Sequence, residues 1–210
     1  MSGRLVWAVG GLALLLARPA AAQETLSVRG FGTVAVESQA ASDTFDAVFE
    51  TTRTTSFGGG LQVINVWRGV FLEAGAERAN LDGERVFVDG STVVRLGIPV
   101  DVTVAPLDVV VGWRFNRASR IIPYVAAGLT SIGYSESSDF AVDDENLDER
   151  ATGFVALAGL ETRLMRLLQL RGEVRFRQAG GVLGDGGVSQ VFDESDLGGI
   201  GAALKLVIGR

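Results

Sequence analysis

The segment from Leu168 to Arg177, LQLRGEVRFR, alternates without a break. Leu168, Leu170, Gly172, Val174 and Phe176 are apolar or small, and Gln169, Arg171, Glu173, Arg175 and Arg177 are polar or charged. Ten residues of strict period two specify a β-strand with one apolar face and one charged face. Such a strand has two homes. A soluble β-structure puts the charges in water and the apolar face in a core, whereas a membrane barrel puts the apolar face in lipid and the charges in its lumen. The remaining strands and their connections decide between the two.

Eight strand-like runs can be read along the chain, at about 25–37, 56–66, 70–79, 98–115, 121–135, 152–163, 167–178 and 197–209. The connections between them alternate in length. Trp67 to Gly69, Asn116 to Arg120 and Leu164 to Arg166 are short; Ser38 to Thr55, Asn80 to Gly97, Glu136 to Ala151 and Ala179 to Asp196 are long. An even strand number with short turns at one end and long loops at the other is the signature of a transmembrane barrel, and a Greek key has no reason to sort its loops this way. The expected fold is all-β: an eight-stranded antiparallel up-and-down transmembrane β-barrel. A short helix is expected in the first long loop, where SDTFDAVF offers Ser42 as a cap and Phe45, Val48 and Phe49 at helical spacing.

Strand faces support this reading. In the first strand Leu26, Val28, Val34 and Val36 oppose Ser27, Arg29, Thr33 and Glu37; in the third, Val70, Leu72, Ala74 and Ala76 oppose Glu73 and Glu77; in the last, Ile200, Ala202, Leu204, Leu206 and Ile208 oppose Lys205. The fourth changes parity, from Ile98, Val100, Val102 and Val104 to Leu107, Val109, Val111, Trp113 and Phe115. A bulge at Ala105-Pro106 would restore one outward face and turn Asp101, Asp108 and Arg114 inward. The second and fifth strands leave their faces open. Trp67, Trp113, Phe115 and Tyr124 cluster beside short turns, where an interfacial aromatic girdle is expected.

The first residues, MSGRLVWAVGGLALLLARPAAAQ, combine Arg4, an uncharged run too short to span a bilayer and a small-residue cleavage site. They read as a signal peptide, residues 1–22, followed by a barrel at 23–210. Losing Arg4 and Arg18 takes the formal charge from -6 to -8, and an acidic exported chain is a poor nucleic-acid binder. The sequence holds no cysteine and no histidine. That removes disulfides, the Ser-His-Asp triad and histidine metal ligation. No catalytic residue, metal ligand or cofactor is therefore nominated.

The segment GWRFNRASRIIPYVAAGL, Gly112 to Leu129, resembles the strand-turn-strand of small bacterial outer-membrane barrels, in which an aromatic strand end, a basic turn and a PYvGaG-like strand recur. The resemblance extends to Leu160–Gln178 and Gly199–Arg210 and is to the eight-stranded OmpA/OmpX/OmpW-like barrels. It implies residence in the outer membrane as a monomer, with membrane lipids and the barrel-assembly machinery as partners. Two features depart from the pattern. The sequence ends Ile208-Gly209-Arg210 where an aromatic residue usually helps assembly, and cell-wall tethering through a peptidoglycan-binding domain is not expected.

The candidate functional residues are the lumen charges Glu73, Glu77, Asp101, Asp108, Arg114, Arg171, Glu173 and Arg175, joined by Arg29, Glu37, Glu161, Arg163, Arg177 and Lys205. Such a set either forms a salt-bridged plug or re-partners to pass small solutes. The long loops hold 17 of the 25 acidic residues, so divalent cations are candidate partners there. The spacing of Asp143 to Glu149 does not fit an EF-hand, and Gly184 to Gly187, GDGG, reads as a loop tip without a phosphate-loop lysine. Three functions remain open: a non-catalytic structural or small-solute barrel, a surface adhesin using acidic loops, and a soluble periplasmic lipocalin-like binder in which every face is inverted.

Overall fold

The computed structural model describes residues 25–89, 92–137, 147–181, 183 and 187–209. The expected leader, Asp139 to Glu145, Gly184 to Gly186 and Arg210 lie outside the described residues.

Each alternating run becomes a strand: β1 (Ser27–Gln39), β2 (Arg53–Trp67), β3 (Val70–Asp89), β4 (Thr92–Arg114), β5 (Ile121–Ser137), β6 (Leu147–Arg163), β7 (Leu168–Gly180) and β8 (Asp196–Gly209). Helix α1 (Ser42–Phe49) follows β1, and the short α2 (Gly187–Val191) precedes β8. Every strand pairs antiparallel with its sequence neighbours, and β1 closes on β8 in register from Arg29↔Gly209 to Gln39↔Gly199. Closure leaves no open edge in the wall, which a bilayer demands because lipid offers nothing to an unpaired backbone N–H or C=O.

The short turns share one end with residue 25 and Gly209. The tightest joins β2 to β3 through Arg68 and Gly69 alone, both at positive φ (43° and 97°). Two consecutive positive φ values make a primed hairpin turn, whose twist matches the strands it joins, and glycine takes the second position without strain.

The outer wall answers the opening ambiguity. Val174 is 62% exposed and Leu129 72%, while Arg171 between its apolar neighbours is fully buried. Val34, Leu61, Leu107, Val111, Leu160 and Ile200 also stand outside. An inverted wall of this kind is stable only in lipid.

Four expectations are corrected. First, β4 has no bulge at Ala105-Pro106. Its register with β5 runs unbroken from Asp101↔Ser137 to Arg114↔Tyr124, and Pro106 faces inward opposite Ile132. Val100, Val102 and Val104 consequently point into the barrel, and Asp101 points out into water, opposite Asp82 on β3. This end of the barrel rises beyond the lipid band, so apolar parity there marks an internal core instead of the lipid face. Second, the expected loop at Asn80–Gly97 is a β-ribbon extending β3 and β4 to Asp89 and Thr92, with the irregularity at Leu96–Ile98, where Gly97 has φ 67°. Third, Tyr124 is 1% exposed and belongs to the lumen, leaving Trp67, Trp113 and Phe115 outside as the girdle. The Trp67 and Trp113 rings meet edge to face, 6.1 Å between centroids. Fourth, Arg163 lies past the last enclosed position of β6, exposed at the rim.

Candidate functional site: a filled lumen under an apolar seal

Spacing along β7 builds the site. Alternate residues of a strand lie about 6.6 Å apart on one face, so Arg171, Glu173, Arg175 and Arg177 climb the lumen in even steps. β3 supplies Glu73 and Glu77, β1 Arg29 and Glu37, β4 Asp108 and Arg114, β6 Glu161 and β8 Lys205. These form three tiers.

Nearest the short turns, Glu161 takes Arg114 Nη2 at 2.5 Å and Arg29 Nη1 at 3.4 Å, and Arg29 Nη1 also donates to Gln169 Oε1 at 2.6 Å. In the middle tier, Glu73 accepts from Arg171 and Lys205, each at 2.5 Å, and from Gln62 Nε2 at 3.1 Å. Lys205 also reaches Glu173 at 2.8 Å, and the Tyr124 hydroxyl donates to Glu173 at 2.7 Å. The Arg171 guanidinium lies over the Tyr124 ring, 4.1 Å from its centroid, and Lys205 Nζ lies 4.7 Å from that of Phe31. In the upper tier Arg175 clasps Glu77 with both terminal nitrogens at 2.6 and 2.7 Å, and Ser56 donates to the same carboxylate at 2.8 Å. Arg177 bridges Glu37 at 2.7 Å and Asp108 at 2.6 Å.

Among the described residues the lumen thus holds six cations and six anions. Buried charges at this density are tolerated only when paired and hydrogen-bonded, and two-pronged Arg–carboxylate contacts are the strongest such pairs. The barrel is narrow enough for side chains to fill it. Between the middle and upper tiers a cavity of about 10 Å³ remains beside Thr33, Glu73, Glu77 and Lys205, room for about one water.

Above the charges lies a dry layer. Val100, Val102, Val104, Ile132, Tyr134 and Leu197 pack together, and Phe45 of α1 drops into them, 1% exposed. The Phe45 and Phe49 rings meet at a tilt of 51° with centroids 5.2 Å apart. The expected helix is therefore present and covers the mouth. Its cap differs from the expected Ser42: Glu194, from the last long loop, accepts the N–H groups of Asp43 at 3.1 Å and Thr44 at 2.8 Å. A carboxylate at a helix N-terminus satisfies orphan donors and meets the positive end of the helix dipole.

Of the eight candidate residues, seven enter this network and Asp101 does not. Sequence reasoning missed Ser56, Gln62, Gln169 and Tyr124. The parity of β7 would have found Gln169, and counting across the β4–β5 turn from Arg114 would have turned Tyr124 inward. Among the described residues no group of three acidic side chains converges to hold a metal ion.

The family model for the outer membrane protein beta-barrel domain matches residues 10–197. The chain belongs to that family. It is an integral β-barrel of the bacterial outer membrane. Among solved structures it is similar to Ail, the attachment invasion locus protein of Yersinia pestis, with 10% identity, 89% of this chain and 99% of that chain covered, and a TM-score of 0.50. It is also similar to Neisserial surface protein A, with 14% identity, 86% and 96% covered and a TM-score of 0.48. The N-terminal β-barrel domain of Pseudomonas aeruginosa OprF follows, with 12% identity, 87% and 97% covered and a TM-score of 0.45. At these identities the likeness concerns the fold. No curated protein matches the chain by sequence.

Proposed function

We propose that the protein is a sealed, non-catalytic barrel that anchors structure at the cell surface and does not pass solutes. The observation carrying this reading is that two barriers lie in series along the axis: a lumen of mutually neutralised charges and, over it, an apolar layer pinned by Phe45. A solute would have to part both. In this reading residues 1–22 are removed on export, and residues 23–210 are delivered by the barrel-assembly machinery as a monomer.

Planar-bilayer recording on the purified barrel tests it. The expected trace is flat at physiological salt, and steady unitary conductance from the unsubstituted protein would refute the seal.

A second reading has its own observation. The β3–β4 ribbon carries Phe87, Val94 and Leu96 into water at 60%, 45% and 51% exposure, and adjoining exposed apolar side chains mark an interaction surface. A surface-binding role would be supported if trimming the ribbon to Glu84 and Pro99, the last pair before its irregularity, abolished cell attachment while leaving the heat-shifted band of the folded barrel intact.

A further inference from the structure

The lipid-facing wall is not evenly studded. One cross-strand row above the β4–β5 turn runs Val111, Ala127, Ala156, so it steps from valine down to two alanines. Trp113 and Val125 stand below this row, and the paired Leu129 and Phe154 stand above it. Between them lies a shallow groove of about 520 Å³, wide open to the bilayer and lined by apolar residues of β3 to β6.

Directly below, the β4–β5 turn carries Arg117 and Arg120, folded by the Ser119 N–H donating to the Asn116 carbonyl at 2.9 Å. Arg163, at the foot of β6 on the strand face of the lumen residue Glu161, donates to the Arg117 carbonyl at 3.4 Å and braces the turn. Residues 116–120 and 163–167 contain no acidic side chain. Arg120 directly precedes β5 and Val125 lies four residues above Ile121, about 13 Å along the strand, a span one acyl chain and its glycerol can bridge.

We propose that groove and rim together bind an anionic phospholipid of the periplasmic leaflet. One acyl chain seats on Ala127 and Ala156 below Leu129, and the phosphate is held by Arg117 and Arg120. The proposal rests on the membrane placement of the barrel, not on the sealed lumen. Charge decides the occupant. A second copy in the same membrane would set its own arginine-rich rim at the same height, so like charges would meet, whereas a phosphodiester neutralises them.

The test uses the full barrel with Trp67→Phe, which leaves Trp113, at the groove wall, as the only tryptophan after residue 22. It is reconstituted in phosphatidylcholine vesicles containing phosphatidylglycerol with brominated chains, and quenching of Trp113 is compared with that by brominated phosphatidylcholine at equal mole fraction. The expected enrichment is about fivefold or more, the scale of one arginine at an anionic surface. Arg117→Gln with Arg120→Gln should bring the ratio to about one, as should filling the groove with Ala127→Leu and Ala156→Leu. Arg166→Gln, on the neighbouring turn, should leave it unchanged. A ratio near one in the unsubstituted barrel, or a ratio indifferent to both double variants, overturns the proposal. So does a dimer in sedimentation that groove filling dissolves, which would assign the groove to a second copy. The heat-shifted gel band, scored for every variant, separates failure of the lipid site from failure of the barrel.

Discussion

The upper tier of the lumen predicts an unequal response to removing either end of its strongest pair. It contains three carboxylates, Glu37, Glu77 and Asp108, and two guanidiniums, Arg175 and Arg177. Arg175→Met leaves two buried acids, Glu37 and Glu77, and the half-buried Asp108 around Arg177 alone, and breaking a buried pair in that way costs about 3–5 kcal/mol. Glu77→Met instead leaves two acids and two arginines. Arg177 keeps Glu37 and Asp108, and Arg175 keeps Glu37 at 3.8 Å. The loss is then that of charge-assisted hydrogen bonds, about 1.5–3 kcal/mol. With both replaced, the two methionines fill the space without an uncompensated partner, and the cost falls below that of Arg175→Met alone. The coupling energy should therefore reach about 2 kcal/mol. Urea titrations of the barrel in phospholipid vesicles, followed by tryptophan emission and by the heat-shifted band, supply all four corners of the cycle. Equal single costs, a larger cost for Glu77→Met, or additivity within about 0.5 kcal/mol would refute the tier assignment.

Three further outcomes follow from the wall and the seal. Val174→Arg, on the lipid face at mid-strand, should destabilise the barrel in vesicles by about 2–4 kcal/mol, and Ile208→Arg near the rim by about 0–1 kcal/mol, because the penalty follows depth; equal costs would put the wall outside lipid. Phe45→Ala should cost about 3–5 kcal/mol locally, read as faster hydrogen exchange of the α1 amides, with no conductance gained because the charge tiers beneath still close the lumen. Gly60→Ala should abolish the heat-shifted band, since its Cβ would collide with the Ala74 carbonyl and sit 2.7 Å from the Phe31 ring, whereas Gly172→Ala, with nothing within 4 Å, should fold normally.

The membrane-embedded half of the molecule was legible in the sequence because lipid on one side and charge on the other enforce period two. Arg171 to Arg177 and Glu73 to Glu77 announced the lumen, and the unequal connections announced which ends would be turns. The same rule misled where lipid ends. Val100, Val102 and Val104 are as apolar as Val109 and Val111, but they line a dry core above the bilayer, and parity alone cannot separate the two environments. Pro106 invited a bulge that β4 does not make. The β3 ladder skips the pairs opposite Ala105 and Pro106 and resumes in the same register, from Ala76↔Leu107 to Ala79↔Val104. The ribbon tip had no alternation to read because both of its faces meet water. Glu194 could not be foreseen as the cap of α1, since 150 residues separate it from Thr44.

The tiers also differ in sign, and this bears on why the lumen stays shut. The tier nearest the short turns sets Arg29 and Arg114 against Glu161, an excess of one positive charge. The middle tier, Glu73 and Glu173 with Arg171 and Lys205, balances. The upper tier has one negative charge in excess, below a mouth whose loops hold most of the chain's acidic residues. An anion arriving from the surface is repelled at the mouth, and a cation drawn into the upper tier meets positive excess below it. In a narrow, low-dielectric lumen either mismatch is weakly screened. Lifting α1 therefore removes the apolar layer and still leaves a barrier to both signs; a path opens only if Arg171 lets go of Glu73 and Glu173 and swings off the Tyr124 ring.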